Sequence, residues 1–259
     1  MKRVWFAVLA LAVAAPAFAE DAPASPQTPV LTKAADVAPA VVAEGSAAVA
    51  AKGATKTVAA ARKTSIKDKA VLMIDAQIAA AKIDKTKQGW RTSLPKPKVA
   101  TFDAAHTYWC HMKTTKGMVT IKFLPDVAPM HVTNFMYLTK LGFYDGLAFH
   151  RVITSFMAQG GDPAGNGSGG PGYEFGSEFS PNAKHDKGGK LSMANAGQGT
   201  DGSQFFLTFV ATPWLDGKHS IFGEVTEGMD VLKLLEAAGS QSGATSEPLK
   251  MEKVTIEVK

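Results

Sequence analysis

The chain has 259 residues, 46% of them hydrophobic and 20% charged, enough apolar material for the core of one large domain or two small ones. The formal net charge of +5, from 28 basic and 23 acidic residues, is mild and lacks the Lys/Arg clusters with interleaved aromatics of a nucleic-acid-binding face. The single cysteine, Cys110, excludes an internal disulfide, and no Cys/His spacing resembles a metal site, so no metal or cofactor is expected.

Residues 1–19 read as a secretory signal peptide. Lys2-Arg3 is a positive start, Val4 to Ala15 an apolar run, and Ala17-Phe18-Ala19 a small-x-small cleavage site before Glu20. The run is too short to span a bilayer, and no later stretch reaches the roughly 18 apolar residues a transmembrane helix needs. The expectation is a periplasmic or secreted bacterial protein with no stable membrane insertion after cleavage. Residues 20–64 are dominated by Ala, Pro, Val, Thr and Lys, lack aromatics, and read as a disordered linker.

Over 65–88 the pattern predicts an amphipathic helix. Ile66, Ala70, Ile74, Ile78 and Ala81 recur at helical spacing, Ser65 with Asp68 forms a capping-box-like start, and Gly89 is a stop signal. Such a helix could dock on its own domain, pair with a second chain or contact an exported partner. Residues 89–105, with Leu94-Pro95-Lys96-Pro97, read as a second linker.

From His106 the chain turns β-rich. Thr107–Met112 and Met118–Leu124 are strand-like runs separated by a hairpin signal ending at Gly117. Val127–Leu141 reads as a helix stopped by Gly142. Phe149–Arg151 and Phe156–Gly160 read as short strands whose period-two alternation points Arg151, Met157 and Gln159 to one or other sheet face. Arg151 cannot lose its proton and, if half-buried, is a fixed donor that Gln159 could hold; the competing reading is an ordinary buried salt-bridge arginine. His150 is expected to point the other way, into the core. The glycine-rich loop from Gly165 to Gly172 lacks the Gly-Lys-Ser/Thr end of a phosphate cradle. Strands follow over Leu191–Asn195, Ser203–Phe209, Ser220–Val225 and Val254–Val258, with a compact turn at Trp214–His219 and a helix at Met229–Ala237. So many short strands with only two helices predict a closed antiparallel barrel, which removes unpaired edges.

Phe149-His-Arg-Val-Ile, Phe156-Met-x-Gln-Gly-Gly-Asp162, Met193-Ala-Asn-Ala-Gly197, Gly202-Ser-Gln-Phe-Phe206 and Trp214-Leu-Asp-Gly-Lys-His219 stand in one order and spacing. Together they resemble the cyclophilin family of peptidyl-prolyl isomerases over 106–259, and leave residues 20–105 uncovered. The resemblance implies an all-β-dominated fold: an eight-stranded antiparallel barrel capped by two helices, here with an N-terminal extension carrying one more. It implies that Arg151 is the catalytic arginine and Gln159 the side chain that orients it. Phe156, Met157, Phe206 and Leu215 would form the apolar pocket for the proline ring. Asn195 would bind the substrate backbone beside Ala194, and Gln204, Trp214 and His219 would complete the groove wall. Implied partners are proline-containing peptide segments and cyclosporin-like cyclic peptides.

Two functions fit: an exported isomerase of X-Pro bonds, and a non-catalytic module that holds proline-containing segments in the same groove. Because every groove residue follows His106, the extension is expected to be dispensable for short peptides.

Overall fold

The computed structural model describes residues 68–259. The signal peptide expected over 1–19, the linker over 20–64 and Ser65 lie outside the described residues. Among the described residues no helix is long and apolar enough to cross a membrane.

Eight antiparallel strands form one sheet: β1 (Tyr108–Thr114), β2 (Gly117–Phe123), β3 (Phe149–Ile153), β4 (Met157–Gly160), β5 (Lys190–Met193), β6 (Phe205–Thr208), β7 (Ile221–Glu227) and β8 (Met251–Val258). Their order is β3-β4-β6-β5-β7-β2-β1-β8. Alternation decides which side is buried: in β1, Tyr108, Cys110 and Met112 point inward and are 0–1% exposed. The sheet curls until its edges meet. Ala148 bridges Lys250, Phe149 N donates to Leu249 O at 2.9 Å, and Met251 N donates to Leu147 O at 2.9 Å. The continuous ladder of a fully closed barrel, as expected, stops at β3 and β8. Only this short run joins them, because β3 has five residues and is bulged between Phe149 and Arg151.

Two helices cover the sheet, α2 (Pro129–Lys140) and α3 (Met229–Ala237). The first begins at its proline, not at Val127, since proline is suited to a first helical turn. Phe135 of α2 stacks on Tyr144 at 4.6 Å and meets Phe123, Phe205 and Phe222 in the core.

The extension is built into this body. Its helix α1 (Lys69–Ala81) starts at Asp68, whose Oδ1 accepts Val71 N at 2.9 Å, and packs on α2 with Ala70 and Ile74 fully buried. It ends at Lys82, in the left-handed region, instead of running to 88. Asp84 then draws the chain into a turn by accepting Thr86 N at 3.0 Å and Thr86 Oγ1 at 2.6 Å, which competes with further helix. The stretch read as a linker over 89–105 is an ordered strap. Leu94 and Ala100 are buried, Lys98 exchanges two hydrogen bonds with Gln77, and Ala100 N donates to Thr133 Oγ1 at 3.0 Å. At its end the buried Asp68 carboxylate accepts the Tyr108 hydroxyl at 2.7 Å, and burial with this contact pushes the Tyr108 pKa up to about 12.

Candidate active site

Strand register assembles the site. Arg151 pairs with Gln159 across β3 and β4, Ile153 with Met157, and Gln159 with Phe206 on β6. Paired positions share a face, so Arg151, Gln159 and Phe206 form a row across three strands, with Ile153 and Met157 two residues along. On that face Met157, Phe206 and Leu215 make a small buried apolar cluster apart from the main core, with Ile153, Phe156 and Ala194 packed around it. Trp214, 56% exposed, lies at the rim with its ring 6.0 Å from that of Phe156. The rings of His219 and Phe206 stand nearly perpendicular with centroids 5.4 Å apart.

The arginine is tethered by amides. Arg151 Nη1 donates to Gln159 Oε1 at 3.2 Å, and Gln159 Nε2 donates to Gln204 Oε1 at 2.9 Å. Gln204 Nε2 in turn donates to the carbonyls of Gly167 and Gly169 at 2.8 and 2.9 Å. Each amide thus has its oxygen and nitrogen assigned by its neighbours. Arg151 is exposed rather than half-buried, and among the described residues no ion pair engages it, so it is not a structural salt-bridge arginine. Gly243, at φ +88°, lies under its stem: a Cβ there would come within 2.8 Å of Arg151 Cγ. The guanidinium borders an open recess of about 430 Å³ shared with His150, Gln159 and Ser242.

The remaining expected residues fall around the cluster. Asn195 turns its side chain away, donating to Asp201 Oδ1 at 2.9 Å and Lys218 O at 3.2 Å, which fixes its backbone. Ala194 N donates to Gln204 O at 3.0 Å. His219 Nδ1 lies 2.9 Å from Met193 O; a carbonyl only accepts, so Nδ1 carries the proton and the ring is a fixed wall. His150 departs from its expected place in the core. The bulge beside it breaks the alternation, and its ring edges the Arg151 recess with both nitrogens buried and unbonded. Burial, with Arg151 adjacent and Asp162 opposing, lowers its pKa below the ordinary value, so the ring is neutral.

Sequence reasoning missed Ile153, His185 and Gly243. The position of Ile153 follows once the β3–β4 register is known. His185 is fully buried, stacked on Phe206 at 6.2 Å and held between Asp216 Oδ1 at 2.9 Å and Ser192 Oγ at 3.0 Å; it sits in an irregular stretch with no periodic signal. Among the described residues no three His, Cys, Asp or Glu side chains gather to hold a metal.

Comparison with known proteins agrees with this architecture. Residues 109–257, more than half of the chain, match the family described as cyclophilin type peptidyl-prolyl cis-trans isomerase/CLD, and the chain belongs to that family. It is 52% identical over 125 residues to the peptidyl-prolyl cis-trans isomerase-like 1 of Rhizopus delemar, a match covering 47% of this chain and 76% of that one. To a peptidyl-prolyl cis-trans isomerase of Helicobacter pylori it is 49% identical over 132 residues, 50% of this chain and 81% of the other. In three longer relatives the match covers 20–24% of their length. Among solved structures it resembles a Cryptosporidium parvum cyclophilin type peptidyl-prolyl cis-trans isomerase crystallised in the presence of the dipeptide Ala-Pro. That likeness has a TM-score of 0.56 and 34% identity and covers 57% of this chain and 98% of the other.

Proposed function

We propose that this protein accelerates cis-trans isomerisation of X-Pro bonds by aiming Arg151 at the prolyl nitrogen of a peptide whose proline ring rests on Phe156, Met157, Phe206 and Leu215. An X-Pro bond isomerises in tens to hundreds of seconds because amide resonance opposes rotation. Rotation breaks the resonance and returns a lone pair to the proline nitrogen, so a donor directed there binds the twisted state better than either planar one. The observation that carries this reading is the amide relay: Arg151 has a held orientation through Gln159 and Gln204, and no carboxylate among the described residues occupies it. Shortening the reaction to about a millisecond requires roughly 10⁴-fold acceleration, or about 5 kcal/mol. One preorganised charge-assisted bond and the apolar contacts are of that order. No proton transfer, nucleophile, metal or cofactor enters such a step.

The substrates would be proline-containing segments of other proteins, and the solved relative crystallised with Ala-Pro supports a groove of that kind. Cyclosporin-like cyclic peptides would occupy the same surface. The signal-like N-terminus supports action on exported proteins in the periplasm of a bacterium or outside it. An isomer-specific assay on a short proline peptide tests the activity. Tight peptide binding without acceleration would instead leave a proline-binding module. The export reading requires the mature protein from an extracytoplasmic fraction to begin at Glu20.

A further inference from the structure

We propose that the outer side of α1 and the strap beside it form a docking surface for a membrane rich in anionic phospholipid. The first observation is where the charge lies. Between Lys82 and Lys98 the chain carries six basic residues and one acidic residue, Asp84, a surplus that equals the formal net charge of +5 of all 259 residues. From His106 onward 13 basic residues stand against 15 acidic ones. The strap is thus the positive pole of a molecule whose barrel is slightly negative, and such a pole draws an anionic partner.

The second observation is that these charges are free. Eight of the twelve lysines after His106 pair with carboxylates. Among the described residues no carboxylate pairs with Lys82, Lys85, Lys87, Lys96 or Lys98, and all five are exposed. Asp84 is occupied by its own turn, accepting Thr86 N and Oγ1. Asp75, the one acidic residue within α1, pairs with Lys140 at 3.0 Å.

Third, apolar side chains stand beside the charges. Leu72 is 53% exposed and Val99 47%. On α1, Leu72, Ala76, Ala79 and Ala80 share the side opposite the buried Ala70 and Ile74. Val99 follows Lys98, which lies alongside α1 through its two hydrogen bonds with Gln77. An apolar helix face flanked by lysines suits the headgroup level of a bilayer, where alkyl groups reach the acyl boundary and ammonium groups meet phosphates. The contact is peripheral, since no described helix is long and apolar enough to cross the bilayer.

The chemistry separates lipid from other polyanions. The free cations are lysines on flexible stems, point charges that suit a field of phosphates. The arginine fork that would single out a carboxylate is engaged, because Arg91 Nη2 donates to Asp145 O at 3.0 Å and the guanidinium lies over Trp90. Trp90, the one aromatic of the stretch, meets Phe143 edge-on and carries Lys85 and Arg91 against its ring, so no ring is offered to a nucleic-acid base. The surface is joined firmly to the site: Leu94 N donates to Pro171 O at 2.9 Å, in the glycine-rich loop whose carbonyls anchor Gln204. Docking through the strap therefore fixes how the groove faces the bilayer.

The test measures co-sedimentation of the processed chain, purified from the exporting host, with vesicles of phosphatidylcholine alone and of phosphatidylcholine with phosphatidylglycerol in about equal parts. The expected result is at least about tenfold stronger partitioning to the anionic vesicles at low salt, weakening as salt is raised. Lys85→Gln, Lys87→Gln, Lys96→Gln and Lys98→Gln in one chain are expected to abolish that preference at an unchanged melting temperature. A measurement on the unaltered chain covers the case of a variant that fails to fold: anionic vesicles should shield Lys85, Lys87, Lys96 and Lys98 from amine acylation and leave Lys122, Lys218 and Lys233 reactive. Equal binding to both vesicles, equal shielding of all these lysines, or a preference kept by the folded variant overturns the proposal. So does tighter binding of polyglutamate or of single-stranded DNA than of the anionic vesicles at the same salt.

Discussion

Arg151 keeps a full charge at the surface without a counter-carboxylate, held by an amide whose other end is itself held. Removing it should therefore cost rate and spare the fold. Arg151→Ala is expected to lower kcat/KM by at least about tenfold, mainly through kcat, because the donor acts on the twisted amide more than on the bound peptide. Arg151→Lys should recover little, since an ammonium lacks the planar fork that Gln159 orients. Melting temperature and rate on one preparation decide the matter: a folded variant with near-wild-type rate would sink the mechanism. Trp214 poses a separate question, because an exposed indole offers a large apolar face with one N–H. Trp214→Ala is expected to weaken inhibition by a cyclosporin-like peptide, and unchanged inhibition removes it from the groove. At this scale much was legible, because Phe156, Met157 and Gln159 are close in sequence and Phe206 and Leu215 fall in compact motifs. His150 was not, since one bulge defeats an argument from alternation.

Helix α2 does more than cover the sheet. It carries His131, fully buried, with Nδ1 2.7 Å from Glu178 Oε2 and Nε2 3.4 Å from Asp201 Oδ2, and Asp201 in turn holds Asn195 of the groove. Burial alone would lower the histidine's pKa, but Asp201 and Glu178 outweigh it and raise it above the ordinary 6.5, while both carboxylates are lowered against their own burial. The folded state thus binds the His131 proton more tightly than the unfolded chain. This contribution to stability is complete below about pH 6.5 and is lost as pH climbs through the raised folded value. Thermal melts across that window should show the wild type losing stability while His131→Gln stays flatter, and parallel curves would refute the coupling. The strands and helices themselves were readable from periodicity and turn residues. The strap was not, because Leu94 and Ala100 stand on either side of Pro95-Lys96-Pro97 with no helical or strand period, and their burial depends on packing against the folded body.

Across the whole molecule, the extension ceases to be an appendage. The sequence alone treats the extension as dispensable for short peptides, but Ala70, Ile74 and Leu94 are core residues and Thr92 lines a recess beside the site, so its removal is expected to cost stability. A chain starting at Ala104 should melt well below the full chain, and Ile74→Ala alone should cost about 2–5 kcal/mol, or roughly 2–4 °C of Tm per kcal/mol for a body of this size. Equal melting of full and truncated chains would show that α1 contributes nothing. The partners that complete β1 come from the opposite end. Tyr108 lies opposite Val258, about 150 residues away in sequence, and Thr107 and Lys259 exchange two backbone hydrogen bonds. A ribosome adds about 5–20 residues per second, so one side of β1 waits roughly eight to thirty seconds for its neighbour. Until then a row of N–H and C=O groups stands open to any other extended chain. Because β8 follows β1 by well over a hundred positions, this edge is among the last to be covered, and chains caught before that are expected to associate through β1 rather than through any surface of the finished body.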